Sequence, residues 1–255
     1  MKMEQNVVKK FNLIKGDCLS SIKSMPDNSV DLILTDPPYN IGKFMQNRQA
    51  NLNRMRQNFF VGAGWDNGDY TEWIKNMSLF FQEAHRILKK KGTLLTFMSA
   101  LKVESIVDVA NAAGFYYKTT GIWHKTNPMP RNMNLHFVNS NESWIYFINE
   151  GKTGTFNNDG KLELDFVQTS VTPSSEKKYG KHPTQKPVAL MRHFVKLLSN
   201  EGDVVLDPFM GSGSTGVAAV GMNRKFVGIE LSARYFDIAT KRIDNMNSVQ
   251  QKLDI

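Results

Sequence analysis

The chain has 255 residues, 41% of them hydrophobic and 22% charged, enough for one globular domain with a core of its own and a sizeable insertion. No run approaches the roughly 18 apolar residues a membrane helix needs, and the Met1-Lys2-Met3-Glu4 start lacks the apolar segment of a signal peptide, so a cytoplasmic chain without a membrane partner is expected. One cysteine, Cys18, excludes an intrachain disulfide and a cysteine-based zinc site, while a net charge of +8 favours polyanionic partners, nucleic acid first.

In chain order, Phe11–Ile14 reads as a strand, Leu19–Lys23 as a short helix and Val30–Leu34 as a second strand. Between Asn40 and Trp65 stand Lys43, Arg48, Arg54 and Arg56 with no acidic residue, a stretch suited to phosphate contacts. From Thr71 to Lys90 the apolar positions Trp73, Met77, Phe80, Phe81, Ala84, Ile87 and Leu88 recur at helical spacing, with Lys89-Lys90-Lys91-Gly92 as a helix end. A strand over Thr93–Met98 follows, then a helix from about Lys102 to Ala113 and strands near Tyr116–Trp123 and Ser143–Ile148. Residues 151–180 are polar and aperiodic and read as a loop-rich insertion. Pro187 opens a helix to about Ser199, followed by a strand at Asp203–Leu206, a glycine loop, a helix from about Ser214 to Val220, a strand at Phe226–Ile229 and a helix from Ser232 to about Met246. This alternation predicts an α/β fold, a mostly parallel sheet with helices on both faces and ligands at the carboxyl ends of its strands.

Two of the strand ends carry chemistry. In the loop from Leu206 to Gly216, Gly211, Gly213 and Gly216 fit the G-x-G-x-x-G pattern of nucleoside-cofactor sites, with Glu230 ending the next strand to accept hydrogen bonds from ribose hydroxyls. NAD and S-adenosylmethionine both suit such a loop. The second has no phosphate, and its sulfonium and ammonium favour a carboxylate such as Asp207, which leans the reading towards S-adenosylmethionine.

After Val30–Leu34 stands Thr35-Asp36-Pro37-Pro38-Tyr39-Asn40. Two prolines fix two φ angles, so the acid before them and the aromatic after them are held rigidly. An exocyclic amine on a base is a poor nucleophile because its lone pair is delocalised into the ring. Hydrogen bonds to the Asp36 carboxylate and the Pro37 carbonyl would favour its pyramidal, localised form, and Tyr39 would stack on a base extruded from the duplex. The methyl would pass directly from sulfonium to nitrogen, with positioning and electrostatics as the main catalytic effects.

From about Lys15 to Arg242 the sequence resembles the amino-methyltransferases of bacterial restriction-modification systems, bacterial or phage-encoded. Their [D/N/S]-P-P-[Y/F/W] motif matches Asp36, Pro37, Pro38 and Tyr39, and their F-x-G-x-G loop matches Phe209, Gly211 and Gly213. A catalytic motif preceding the cofactor loop is similar to the order of the beta group. The resemblance implies a Rossmann-like, circularly ordered S-adenosylmethionine-dependent fold with a mostly parallel seven-stranded sheet. It implies one domain over residues 1–255, with a DNA-binding loop at about 40–68 and a target-recognition insertion at about 127–180. Double-stranded DNA would be the substrate, a cognate restriction endonuclease a partner, and the protein a monomer or homodimer.

Residue by residue, the resemblance extends the cofactor pocket to Asp17 and Cys18 after the first strand, and to His182, Thr184, Gln185 and Lys186 before Pro187. Lys186 and Thr184 would hold the cofactor carboxylate. Asp36, Asp207, Phe209, Met210, Gly211, Ser212, Gly213, Ser214, Thr215, Glu230 and Leu231 complete it, and Arg131 and Asn132 join the DNA contacts. No metal is expected, since His124 and His136 lack a ligand-like neighbour pattern. Cys18 stands outside the Pro-Cys context that cytosine carbon-5 methylation uses. Asp36 in the first motif position favours adenine; cytosine-N4 methylation is the alternative. A non-catalytic nucleic-acid-binding protein, an NAD oxidoreductase and an RNA methyltransferase fit fewer of the motifs.

Overall fold

The computed structural model describes residues 10–41, 69–130, 134 and 137–253. Eight strands, β1 Phe11–Lys15, β2 Val30–Thr35, β3 Leu88–Met98, β4 Phe115–Lys125, β5 Asn141–Asn149, β6 Phe166–Thr169, β7 Val204–Asp207 and β8 Lys225–Glu230, form one sheet in the order β1-β8-β7-β2-β3-β5-β4-β6. The α-helices among the described residues are α1 Cys18–Lys23, α2 Tyr70–Ile87, α3 Val103–Ala112, α4 Val188–Leu198, α5 Ser214–Val220 and α6 Ala233–Leu253. Among the described residues no helix is long and apolar enough to cross a membrane.

β5 pairs antiparallel with both β3 and β4, while every other ladder is parallel, so β5 alone runs against the rest. The expected seven-stranded sheet gains an eighth strand from the segment at 151–180. β6 escapes a reading by pattern because it has four residues and buries only Val167; its pairing with β4 along Ile122–Lys125 makes it a strand. The expected helix to Lys90 also stops early, at Ile87, because Leu88 turns extended to pair with Val30. The Asn149 amide closes that end from across the sheet, donating to the carbonyls of His85 (3.1 Å) and Leu88 (2.9 Å).

The period-2 alternation of the strands divides the core in two. Leu32, Leu34, Leu95, Phe97, Trp144 and Tyr146 face α4, α5 and α6; Ile33, Leu94, Met98, Ile145 and Phe147 face α1, α2 and α3. Both layers are apolar because helices cover both faces. Tyr39 packs against both clusters at the sheet's carboxyl edge.

The segment expected to be an insertion is partly stitched into this core. Glu176 accepts the Val188 N–H at the start of α4 (3.1 Å), where the helix has unpaired donors and no side-chain cap of its own. At the other end Asn157 donates through its amide to the carbonyls of Lys196 (3.2 Å) and Ser199 (2.9 Å), and through its backbone to Leu197 (2.8 Å). Both ends of α4 are thus closed by residues 12 and more positions upstream.

Candidate active site

β2 and β7 are neighbours in the sheet, with Leu32 opposite Val205 and Ile33 opposite Leu206. The chain leaves β2 towards β3 on one side and β7 towards β8 on the other, so a crevice opens at their carboxyl ends, the switch point of an open α/β sheet. The Asp36-Pro37-Pro38-Tyr39 turn and the glycine loop, about 170 residues apart, meet there. The Thr35 hydroxyl joins them directly, donating to Asp207 Oδ1 at 2.8 Å.

Asn40 closes the first turn in the left-handed region, at φ 49°, a conformation asparagine tolerates better than most side chains. Trp73 Nε1 on α2 donates to the Pro38 carbonyl at 3.0 Å and pins the turn to the core. In the second turn Gly211 (φ 53°) and Gly213 (φ 80°) adopt left-handed backbone. A Cβ on Gly216 would lie 2.5 Å from Ile243 Cδ1, so the third glycine serves the close packing of α5 and α6.

Asp36 is the centre of a buried charge network. Its Oδ2 accepts from Lys186 Nζ, and its Oδ1 from the Tyr39 hydroxyl at 2.5 Å. Lys186 is 5% exposed and also pairs with Glu142 Oε2 at 3.0 Å, while Lys125 pairs with Glu142 Oε1 at 2.6 Å. Burial pushes the Asp36 carboxyl up and Glu142 adds to this, with the Lys186 ammonium opposing both. For Glu142 burial is outweighed by Lys186 and Lys125, which hold its carboxyl down at about 2. Burial would lower the Lys186 ammonium, but Asp36 and Glu142 override it and raise it.

The residues expected around the cofactor divide. Lys186, expected on the cofactor carboxylate, pairs here with Asp36 and Glu142, as a buried ammonium needs an anion. Glu230 uses its two oxygens to accept from the N–H groups of Gly211 (2.8 Å) and Ser232 (2.7 Å), so it shapes the loop at the crevice rim. Ser212, Ser214 and Thr215 are buried and turn inwards: Ser212 accepts from Arg242 through its carbonyl (2.6 Å), Ser214 donates to the Lys186 carbonyl (2.7 Å), and Thr215 hydrogen-bonds Asp207. Met210 is buried, and its N–H donates to the Ile229 carbonyl (2.9 Å). Burial raises the Asp207 carboxyl to about 7, against the hydroxyls of Thr215 and Thr35 and the Phe209 N–H.

Phe209 packs edge-on against Phe80 and Leu231 is exposed beside Glu230. His182 packs edge-on against Tyr235 with ring centroids 4.3 Å apart, and burial, with Lys186 and Arg242 nearby, lowers it to about 4. Thr184 is exposed, 3.5 Å from the His182 ring, and Gln185 donates to the Glu176 carbonyl. Asp17 caps α1, bonding the Ser20 N–H at 2.9 Å, and burial raises the Cys18 thiol well above its usual value, as suits a core residue. Lys43, Arg48, Arg54, Arg56, Arg131 and Asn132 lie outside the described residues, as does nearly all of the expected DNA-binding loop.

Glu142 and Lys125 were not expected in this corner. A lone glutamate beside an apolar run carries no signal until the topology is known. β5 runs backwards, so its first residues lie at the carboxyl edge of the parallel strands, with Glu142 opposite Trp123.

Residues 30–241 match the N6/N4 methyltransferase family, described as DNA methylase. The chain belongs to that family. It is therefore a DNA methyltransferase of the amino-methylating kind, with its Asp-Pro-Pro-Tyr turn before its glycine loop. The type II methyltransferase M.HinfI of Haemophilus influenzae is 33% identical over 94% of this chain and 70% of its own length. The DNA adenine methyltransferase YhdJ of Escherichia coli K12 is 30% identical, over 91% and 82% respectively. Among solved structures, the M1.HpyAVI–SAM complex superposes with a TM-score of 0.70 at 27% identity, covering 92% of this chain and 99% of that one. The cytosine-N4-specific PvuII DNA methyltransferase shares the fold, with a TM-score of 0.73 at 17% identity over 96% of this chain and 93% of that one.

Proposed function

We propose that this methyltransferase moves a methyl group from S-adenosylmethionine to the N6 amine of adenine in double-stranded DNA, at a specific site and on a base turned out of the duplex. The observation that carries this reading is the placement of the Asp36-Pro37-Pro38-Tyr39 turn beside the glycine loop at the switch point of the sheet. The donor set suits the cofactor. Asp207 sets a carboxyl beside the glycine loop, and the left-handed glycines at 211 and 213 keep side chains out of the crevice. The M1.HpyAVI structure, 27% identical, was solved with S-adenosylmethionine.

When bound, S-adenosylmethionine supplies an electrophilic methyl on its sulfonium. The chain's own residues orient the acceptor. Asp36 takes a hydrogen bond from the target amine, the Pro37 carbonyl takes the second, and the Tyr39 ring offers a face for the base. Trp73 holds the backbone of the turn in place through Pro38. The carboxylate of Asp36 balances the charge that builds on the amine nitrogen as it is methylated.

Adenine rather than cytosine is supported by the acid at position 36 and by the likeness to YhdJ, whose name gives adenine. The basic stretch at 40–68 and the segment at 127–180 are proposed to supply DNA contacts and target recognition, with Lys43, Arg48, Arg54, Arg56 and Arg131 on phosphates and Asn132 on a base edge. Asp17, Thr184 and Leu231 are proposed at the rim of the cofactor site. A restriction-modification setting, with a cognate endonuclease, is proposed on the likeness to the type II enzyme. The test is transfer of labelled methyl to unmethylated bacterial DNA, followed by nucleoside digestion and mass analysis. Label in N6-methyladenine is expected; label in N4-methylcytosine overturns the base assignment, and no label in DNA overturns the reading.

A further inference from the structure

Asp36 meets its substrate with both oxygens taken. Lys186 occupies Oδ2 and the Tyr39 hydroxyl occupies Oδ1. A target amine competes with these donors for Asp36, and because its nitrogen becomes cationic during transfer, an ammonium left on Asp36 would oppose the reaction. Lys186 is 5% exposed, so if Asp36 were its one anion, leaving would strand a buried charge.

Glu142 removes that difficulty. Its Oε2 already lies 3.0 Å from Lys186 Nζ and 3.4 Å from the Tyr39 hydroxyl, so both donors that cover Asp36 share the same second acceptor. Lys125 holds the other oxygen at 2.6 Å, which fixes the carboxylate and aims Oε2 at the pair. We propose that Glu142 is a positioning residue: it receives Lys186 and the Tyr39 hydroxyl when the target amine takes Asp36, so the catalytic carboxylate is uncovered without stranding a buried cation. The proposal rests on the methyl-transfer reading of Asp36, and nothing in the family match or the named relatives assigns Glu142 a role.

The test compares Glu142→Gln and Glu142→Asp with wild type, measuring the single-turnover rate of methyl transfer to DNA at saturating S-adenosylmethionine and, separately, cofactor affinity by calorimetry. Glu142→Gln keeps the shape but not the charge and is expected to slow transfer by about tenfold or more while cofactor affinity stays within about threefold. Glu142→Asp keeps the charge and is expected to recover a severalfold part of the loss. Because Glu142 acts through Lys186, adding Glu142→Gln to Lys186→Met is expected to cost less than about threefold further. A wild-type rate in Glu142→Gln, equal losses in the Gln and Asp variants, or a full additional loss in the Lys186→Met background each overturns the proposal. A wild-type protein that labels no DNA overturns the methyl-transfer reading instead, so the two failures are told apart.

Discussion

The catalytic corner and the 151–180 segment are built by opposite means. In the corner, local chemistry dictates geometry: two prolines fix one turn, glycines at φ 53° and 80° permit the other, and parallel pairing of β2 with β7 brings the two together. In the 151–180 segment no local preference is visible, yet Val167 enters the core, Glu176 closes the start of α4 and Asn157 closes its end. One region takes its shape mainly from local residue preferences, with Trp73 and Glu230 pinning its turns. The other gains order from what it touches, and it supports the helix that carries Lys186 at its entrance.

That contrast can be broken from either side. The largest effect is expected at the corner: Asp36→Ala should lower methyl transfer by about a thousandfold or more, since it removes the main acceptor aimed at the amine. Cofactor binding, measured by calorimetry, should remain largely intact; wild-type turnover would remove Asp36 from the mechanism. In the supporting segment the signature should be stability. Glu176→Ala leaves the Val188 N–H uncapped and takes an anion from buried Arg242, at a cost of about 2–3 kcal/mol in chemical denaturation. A loss of activity per folded molecule without loss of stability would contradict that division.

A pH series sharpens the comparison from within the corner. Burial raises the Asp207 carboxyl from 3.8 to about 7, so between those values the folded chain holds a proton that the unfolded chain has released. This group's contribution to stability is therefore greatest below about 4, falls as pH rises to about 7, and is flat above. The difference in thermal midpoint between wild type and Asp207→Asn should follow that course; a difference independent of pH would show that Asp207 is ionised throughout. The smallest effect is expected from Asn157→Ala, about 1 kcal/mol by the same denaturation assay, because its carbonyl partners at the end of α4 are partly reached by water.

Most of the architecture was legible in the sequence because helical and strand periods are local properties. Among the described residues the α-helices lie where their patterns place them, although α2 ends at Ile87 and α6 continues to Leu253. The errors share a cause. Lys89–Lys91 looked like a helix end because lysines suit one, but Leu88 pairs with Val30, and the ladder overrode the local preference. β6 was invisible because a strand with one buried residue is defined by its partner.

By itself the sequence determined the backbone shape of the two turns. The prolines of Asp-Pro-Pro-Tyr fix φ and the spaced glycines permit left-handed backbone, both within a few bonds. The tertiary structure decided what surrounds them. Glu142 and Lys125 reach the site because β5 enters the sheet antiparallel and turns its first residues towards the carboxyl edge. Lys186 pairs with Asp36 and Glu142 because a buried ammonium takes the nearest anions. Strand direction and charge pairing join residues tens of positions apart, and 150 apart for Asp36 and Lys186, which no local pattern in the sequence records.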